Sequence, residues 1–424
     1  MTVKVAAIEL TYLDVPFTAH TGTHMQYWLP WWRIVQICKI TLDNGVVGWG
    51  ETIPNYTHAQ VPDDIQDRII GVDAADMLWK DDLGAGVQQA LFDAVGKNEN
   101  VAAYSLLGNK IREWCPISWW AMDMGPKDWA RQCKEAVAKG YVSTKLKARS
   151  WQDLHACLQA IFRVVPKQFK LDLDFNGTLV NSANAVELLK SLEQYQQVAM
   201  IESPIPQDDV SGNRHIRSRF NRPLAMHFGS PPIMTTLAED LTDGFVVGGG
   251  AAQLRNQDPI ANAANKPYWL QLVGTGISTT WAAHIGAVSN QAKWPAITCM
   301  NIWKSQLLKR PIEVRGGYYP VPDGPGLGIE IDQAALKKFK VNYSYIDVAR
   351  HIYRYTRASG ETIYIACDRT ALHGRYTEAG LPICEQGSQI EIISDDGSKK
   401  FANFYEEVTK KKILFRRETS QKKK

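Results

Sequence analysis

The sequence predicts an α/β fold: a parallel barrel, preceded by a small α+β region and followed by a β-rich appendage. Three observations carry this. From Pro116 onward, short apolar runs that read as strands alternate with segments of helical period, the pattern of a parallel sheet. Residues 3–51 read instead as an antiparallel meander, with Asp43-Asn44-Gly45 as the tight turn of a hairpin. After about Val341 the composition turns polar, with only short alternating runs. At 424 residues the chain is long enough for this, and the expected units are 1–115, 116–341 and 342–424.

Taken in order, Val5–Leu13 and Arg33–Leu42 are the first strands, and Val46–Glu51 completes the hairpin. The loop between the first two carries His20, His24, Tyr27, Trp28, Trp31 and Trp32. Such a loop reads equally as a lid over a site and as an aromatic cluster packed between domains. From Asp63 to Gly96 the pattern is helical, with Val87, Ala90, Leu91 and Val95 on one stripe. Gly108 then ends a second helical stretch. Barrel strands are expected at Ile117–Trp120, Val142–Lys147, Phe169–Asp174, Val198–Glu202, Leu224–His227, Phe245–Val247, Leu270–Val273 and Ala296–Met300. Pro126–Lys139, Ser150–Val164, Ser182–Gln194 and Thr279–Asn290 read as helices between them. The Gly/Pro-rich stretch Pro322–Glu330 closes the region. In the appendage, Thr362–Ala366, Gln389–Ile393 and Ile413–Phe415 read as short strands, and the unit is expected to be dispensable for barrel folding. The terminal Gln421-Lys422-Lys423-Lys424 reads as a solvated end.

Composition narrows the function. Hydrophobic residues make up 45% and charged residues 22%, ordinary for a globular protein. The net charge of +4 is small, and residues 399–424 alone hold ten Lys or Arg against three Glu, so the rest is slightly acidic. Neither nucleic acid nor a membrane is an expected partner. The seven cysteines are scattered and never in C-x-x-C spacing, which suits free thiols in a reducing cytoplasm. Met1-Thr2-Val3-Lys4-Val5 lacks an apolar signal core and no run reaches the ~18 apolar residues of a membrane span, so a cytoplasmic location is expected.

The chemistry gathers at three successive strand ends: Lys145 and Lys147, then Asp174 and Asn176, then Glu202. Barrel active sites sit at the C-terminal ends of strands, so these residues are expected to converge. Lysine bases facing acidic metal ligands suit removal of a proton next to a carboxylate. A buried ion pair of the lysines with Asp172 or Asp174 is the competing reading, ranked lower because inward lysine pairs are expensive to bury. Asp172 lies on the same strand face as Asp174.

Four stretches together resemble the enolase superfamily, in its mandelate racemase/muconate lactonising branch. They are Asp43–Glu51, Ala90–Lys97 with Leu106-Leu107-Gly108, the Lys145/Lys147, Asp174-x-Asn176 and Glu202-x-Pro204 series, and Gly324–Gly328. The resemblance implies an α+β capping domain over a modified (β/α)₇β barrel, with loops near 16–32 and 54–60 closing the site. It implies a small carboxylate substrate, a homo-oligomer and a divalent metal, Mg²⁺ in the family, held by Asp174 and Glu202. Sites of this superfamily pair a Lys or His base with Mg²⁺, and the implied base is Lys147, its pKa depressed by Lys145 and the metal. His20, His24 and Asn176 are the candidate substrate contacts, and His20, His24 and His58 the candidate donors to a leaving hydroxyl. The later strands depart from the pattern. Where the family has a third acidic ligand, this chain has His227 or Phe228, and an imidazole there favours a transition metal. The sixth strand ends in Gly248 where a second acid/base is usual, the seventh lacks the usual His or Glu, and His284 falls inside a helical pattern as packing. The expected activity is a lyase or dehydratase acting on a hydroxy or sugar acid; the alternative is a catalytically degenerate relative kept for binding or assembly.

Overall fold

The computed structural model describes residues 3–57 and 59–417; His58 and the end of the basic tail, Gln421–Lys424 included, lie outside the described residues. The chain opens with β1 (Val5–Asp14), helix α1 (Ala19–Met25), β2 (Ile34–Leu42) and β3 (Val47–Thr52), the three strands pairing antiparallel. Gly45, at φ 85°, makes the turn between β2 and β3, a conformation that glycine adopts without penalty. The short α2 (Ile65–Ile69) leads to α3 (Ala85–Asn98) and α4 (Ala103–Leu107). α3 lies unusually close on β3: a Cβ on Gly48 or Gly50 would sit 2.0 Å from the carbonyl oxygen of Ala90 or Gly86. The Gly48-Trp49-Gly50 spacing is therefore the condition for this helix-on-sheet contact. From Gly86 to Gly96 α3 is buried all round, wider than the single stripe that its sequence suggests.

β4 (Trp114–Pro116) leads into the parallel sheet. Its strands are β5 (Trp119–Ala121), β6 (Ser143–Lys147), β7 (Lys170–Asp174), β8 (Val198–Glu202), β9 (Leu224–His227), β10 (Gly244–Val247) and β11 (Tyr268–Leu270). Each pairs with its neighbour in chain order. Helices α5 (Pro126–Ala138), α6 (Leu154–Phe162), α7 (Ser182–Leu192), α8 (Val210–Arg219), α9 (Ile233–Ala238), α10 (Ala251–Ala263) and α11 (Gly276–Val288) follow the strands in turn. The expected eighth strand at Ala296–Met300 is not a strand. Two parallel bridges stand in its place, Ile117 with Ala296 and Gln271 with Ile297, and they join the ends of the curled sheet. Cys299, at φ 57°, turns the backbone out of the extended region there. α11 is buried along almost its whole length, with Trp281 against Phe92 of α3 at 4.9 Å between ring centroids.

After β12 (Tyr318–Pro320), which pairs with β4, helix α12 (Gln333–Phe339) and β13 (Lys340–Val341) bring the chain back to β1. The C-terminal unit is β14 (His351–Thr356), β15 (Glu361–Ile365), α13 (Arg369–Glu378), β16 (Gln389–Ser394), α14 (Lys399–Lys411) and β17 (Leu414–Arg417). Its sheet is antiparallel in the order β16-β14-β15-β17. Strand β14 and both helices escaped the sequence reading, and the unit is α/β in content. α14 is amphipathic: Phe401 and Val408 cluster with Ile352, Tyr364 and Leu414, while its lysines face water.

This unit docks on the loops that border the barrel mouth. The Ala349 N–H donates to Gln26 O at 3.0 Å, Cys384 N–H to Ser150 O at 2.6 Å, and Tyr27 Oη meets Ser394 Oγ at 2.6 Å. Trp28 packs between Trp151 (6.5 Å) and Tyr353 (5.7 Å). Of the two readings of the aromatic loop, Trp28 and Trp31 follow the packed cluster, and these contacts argue against a dispensable appendage. The seven cysteines are free, and no described helix is long and apolar enough to cross a membrane.

Candidate active site

The parallel register builds the charged half of the mouth. Lys147 on β6 is the cross-strand partner of Asp174 on β7, and Asp174 of Glu202 on β8. Lys145, two residues earlier on β6, shares the face of Lys147. The Lys147 Nζ donates to Asp174 Oδ2 at 2.6 Å and to Asn176 Oδ1 at 3.0 Å. The Lys145 ammonium lies between the carboxylates, against Glu202 Oε2 and 3.3 Å from Asp174 Oδ2, and it donates to Gln271 Oε1 at 3.1 Å. Arg149, the next residue of this alternation, donates to Asp174 O at 2.9 Å and Asn176 Oδ1 at 2.8 Å. Asn176 sits at φ 48°, which its side chain tolerates better than most, and its N–H caps Asp174 Oδ1 at 3.0 Å.

These contacts split the two lysines electrostatically. Burial lowers Lys147 to about 8, with Asp174 opposing and Lys145 reinforcing the shift. Burial alone would lower Lys145 too, but Glu202 and Asp174 hold it above its ordinary value, firmly cationic. Asp174 is held well below the usual carboxylate range: burial opposes this, but Lys147, Lys145 and Arg149 prevail. Asp172 is pushed up to about 7 by burial, with Lys145 opposing. Of the two, Lys147 thus holds its proton less tightly and Lys145 is the firmer cation.

The same half supplies donors for a metal. Both Glu202 oxygens are buried without a well-formed hydrogen bond, their contacts being the ion pair with Lys145 and His227 Nε2, 3.3 Å from Oε1. Two carboxylates and an imidazole on adjacent strands fit a divalent cation in kind. As the side chains stand, Lys145 occupies the space between the carboxylates. Asp174, Glu202 and His227 do not gather as a three-ligand group among the described residues. Phe228 is no ligand; it packs edge-on against Phe245 at 5.1 Å.

Two cavities open here. One of about 200 Å³ holds Lys147 and Asn176 under Trp32, Tyr56 and Trp120. The other, of about 350 Å³, is lined by His227, Gly248, Gln253, Gln257 and Gln271. Tyr56 and Gln271 border both. Desolvation raises the Tyr56 hydroxyl above its ordinary pKa, although the residue as a whole is 38% exposed.

Lys145, Lys147, Asp174, Asn176, Glu202 and His227 are brought together; His20 and His24 are not. His20 Nε2 meets Asp128 Oδ1 at 2.9 Å, and His24 Nε2 lies 3.6 Å from Asp128 Oδ2. Gln132 fixes the His20 ring. Its Oε1 accepts from Trp119 Nε1 at 2.9 Å, so its amide nitrogen faces His20 Nδ1 at 2.7 Å and the imidazole proton belongs on Nε2, toward Asp128. The structure thus moves both histidines from the expected substrate contacts to a pairing with α5. His284 is packing, as read: it accepts from Tyr104 N–H at 3.2 Å and donates to Leu327 O at 3.1 Å. Sequence reasoning missed Arg149, Gln271 and Tyr56. Only Arg149 carried a signal, the period-2 series 145, 147, 149.

Residues 128–335 match the family model described as Enolase C-terminal domain-like. The chain is 25% identical over 342 residues to the N-succinyl-L-Arg/Lys racemase of Bacillus cereus, covering 72% of this chain and 90% of the racemase. It is 24% identical over 292 residues to the D-gluconate dehydratase of Thermoproteus tenax, covering 62% of this chain and 57% of that enzyme. An enolase from Pseudomonas fluorescens Pf0-1, solved with bound magnesium, potassium and tartrate, superposes with a TM-score of 0.66. It is 19% identical, over 80% of this chain and 92% of its own.

Proposed function

We propose that this chain, as a member of the enolase superfamily of the mandelate racemase/muconate lactonising type, is a lyase or dehydratase using Lys147 to remove the proton α to a small carboxylate. The observation that carries the reading is Lys147 itself, an amine lowered to about 8 that opens on a cavity beside two carboxylates. A divalent metal, Mg²⁺ by relationship, would be held by Asp174 and Glu202 with His227 as the third donor, and when bound it supplies electrostatic stabilisation of the enolate. Lys145 orients the substrate carboxylate. Arg149 keeps Asn176 and the Asp174 backbone in register with Lys147. A leaving hydroxyl needs a proton, and Tyr56, protonated and bordering both cavities, is the donor.

Elimination is favoured over racemisation because acid–base groups lie on one side. Racemisation needs a second acid or base on the opposite face, where the cavity is bordered by Gly248, Val273 and Gln271; in this reading its other proton carriers are already committed, His227 to the metal and Tyr56 to the leaving hydroxyl. A positioned acid or base contributes ~10²–10⁴ in rate, so its absence makes return from that face slow. The test is ¹H NMR in D₂O with paired enantiomers of hydroxy and sugar acids and Mg²⁺ or Mn²⁺. One enantiomer should lose its α-proton, and Lys147→Ala should abolish the exchange; equal exchange of both enantiomers refutes the one-sided mechanism. A second reading, a degenerate relative kept for binding or assembly, is favoured by Lys145 standing between Asp174 and Glu202. It prevails if no acid exchanges and no divalent cation binds.

A further inference from the structure

We propose that the cavity of about 350 Å³ beyond Lys145 is the subsite for the distal end of the substrate, and that Gln253, Gln257 and Gln271 select an uncharged polyhydroxyl chain over one ending in a carboxylate, phosphate or ammonium. This rests on the reading above only in placing the substrate carboxylate beside Lys145.

Among the described residues bordering the cavity there is no Asp, Glu, Lys or Arg, and its one imidazole, His227, faces Glu202 Oε1 at 3.3 Å. Gln257 is 6% exposed and its Oε1 has no hydrogen-bond partner among the described residues, although a buried amide oxygen without one is costly. Gln253 lies one helical turn earlier on α10, folded so that a Cβ on Gly249 would come within 2.2 Å of its Oε1. Gln271 spends its Oε1 on Lys145, which leaves its amide nitrogen as a donor and ties the cavity to the charged half. An amide offers both a donor and an acceptor, the complement of a hydroxyl that does the same.

Charged ends find no partner beyond His227, which the reading above assigns to the metal. The N-terminus of α10 borders the cavity and would attract an anion, but its first N–H groups are taken. Ala251 N–H donates to Gln88 Oε1 at 2.8 Å, Ala252 N–H to Asp81 Oδ1 at 3.0 Å, and Gln253 N–H to Asp81 Oδ2 at 2.8 Å. The Asp81 carboxylate adds repulsion against a second anionic group. A cationic end meets no lining carboxylate: Glu51, near the wall, is occupied by Thr275 Oγ1 at 2.6 Å and Ser278 N–H at 2.7 Å. The volume is that of about a dozen waters at ~30 Å³ each, suited to a short polyol.

The experiment is calorimetric titration of the full chain with Mg²⁺ present, using hexonates, the matching hexarates and the three-carbon glycerate. At least one hexonate should bind at least about tenfold tighter than both its hexarate and glycerate. Gln257→Leu and Gln253→Leu should each lower the hexonate-to-glycerate affinity ratio about fivefold to tenfold. Matching melting curves establish that each variant folds, and either variant alone suffices. A hexarate bound as tightly as its hexonate, no hexonate tighter than glycerate, or unchanged ratios in the folded variants overturns the proposal. The outcome is separable from the chemistry: selective hexonate binding without α-exchange retires Lys147 as a base and keeps the subsite, while exchange with indifferent binding does the reverse.

Discussion

Replacing Lys145 with methionine removes a buried charge at nearly constant volume. The Lys145, Asp174 and Glu202 side chains are 1%, 1% and 2% exposed, so none of them exchanges its partner for water. Asp174 keeps Lys147 at 2.6 Å and the Arg149 guanidinium nearby. Among the described residues Glu202 keeps only His227 as an ion-pair partner, at 3.3 Å. The cost therefore falls on Glu202, whose oxygens already lack hydrogen bonds. Breaking a buried pair by removing one partner costs ~3–5 kcal/mol. At ~2–4 °C per kcal/mol for domains of 150–250 residues, the melting temperature should fall by roughly 6–20 °C. The assay is thermal melting after chelator treatment, repeated with excess Mg²⁺, Mn²⁺ or Zn²⁺. A cation at one hundred times its Kd returns ~2.7 kcal/mol, and the variant should gain more from it than the wild-type chain, where Lys145 contests the site. A variant that melts with the wild type in chelator refutes the buried-charge argument. A destabilised variant that no divalent cation restores refutes the metal site.

Three further outcomes follow from the same structure. Burial lowers His284 to about 4 against an ordinary 6.5, so the unfolded chain binds the extra proton first as pH falls. Stability should be full above pH 6.5 and decline by up to ~3 kcal/mol toward pH 4, and His284→Gln should flatten that slope in urea titrations. At Gly248 a Cβ would meet only Gln271 O, at 3.1 Å, so Gly248→Lys should place an amine on the empty face and give α-exchange with the second enantiomer in D₂O; a folded variant still restricted to one enantiomer counts against the one-sided account. Truncation after Val341 uncovers Trp28 and Trp151, which are 3% and 2% exposed, at ~1.5–3 kcal/mol for each large side chain, and should lower the melting temperature; an unchanged melt would mean these contacts contribute nothing.

The charged half of the site was legible because it is local in sequence. In Lys145-Leu146-Lys147 and Asp172-Leu173-Asp174 the strand period puts apolar residues on one face and charges on the other, and parallel register carries the charges side by side. The neutral half was not, because it depends on pairings between distant residues. Nothing near Gln257 announces a cavity, and nothing near Ala252 announces Asp81. The pairing of His20 and His24 with Asp128 was hidden for the same reason: Asp128 is 108 residues from His20, and an aromatic loop gives no sign of which helix its histidines will meet. Ala296–Met300 failed for a backbone reason, since an apolar run does not reveal the left-handed turn at Cys299. In the appendage, charged residues diluted the helical period of α14 that Phe401 and Val408 define.

Lys145 links the two halves. Its ammonium is the counter-ion for Asp174 and Glu202, one of the charges that depress Lys147, and the donor to Gln271 at the edge of the neutral cavity. A cation taking the carboxylates would release Lys145 toward a substrate carboxylate, and a substrate drawing Lys145 away would leave the carboxylates short of positive charge. The two events therefore favour one another, and by thermodynamic reciprocity each must raise the affinity for the other by the same factor. Under the proposed function that coupling gives the two lysines separate roles: Lys147 would move the proton, and Lys145 would hold the carboxylates until the ligands arrive.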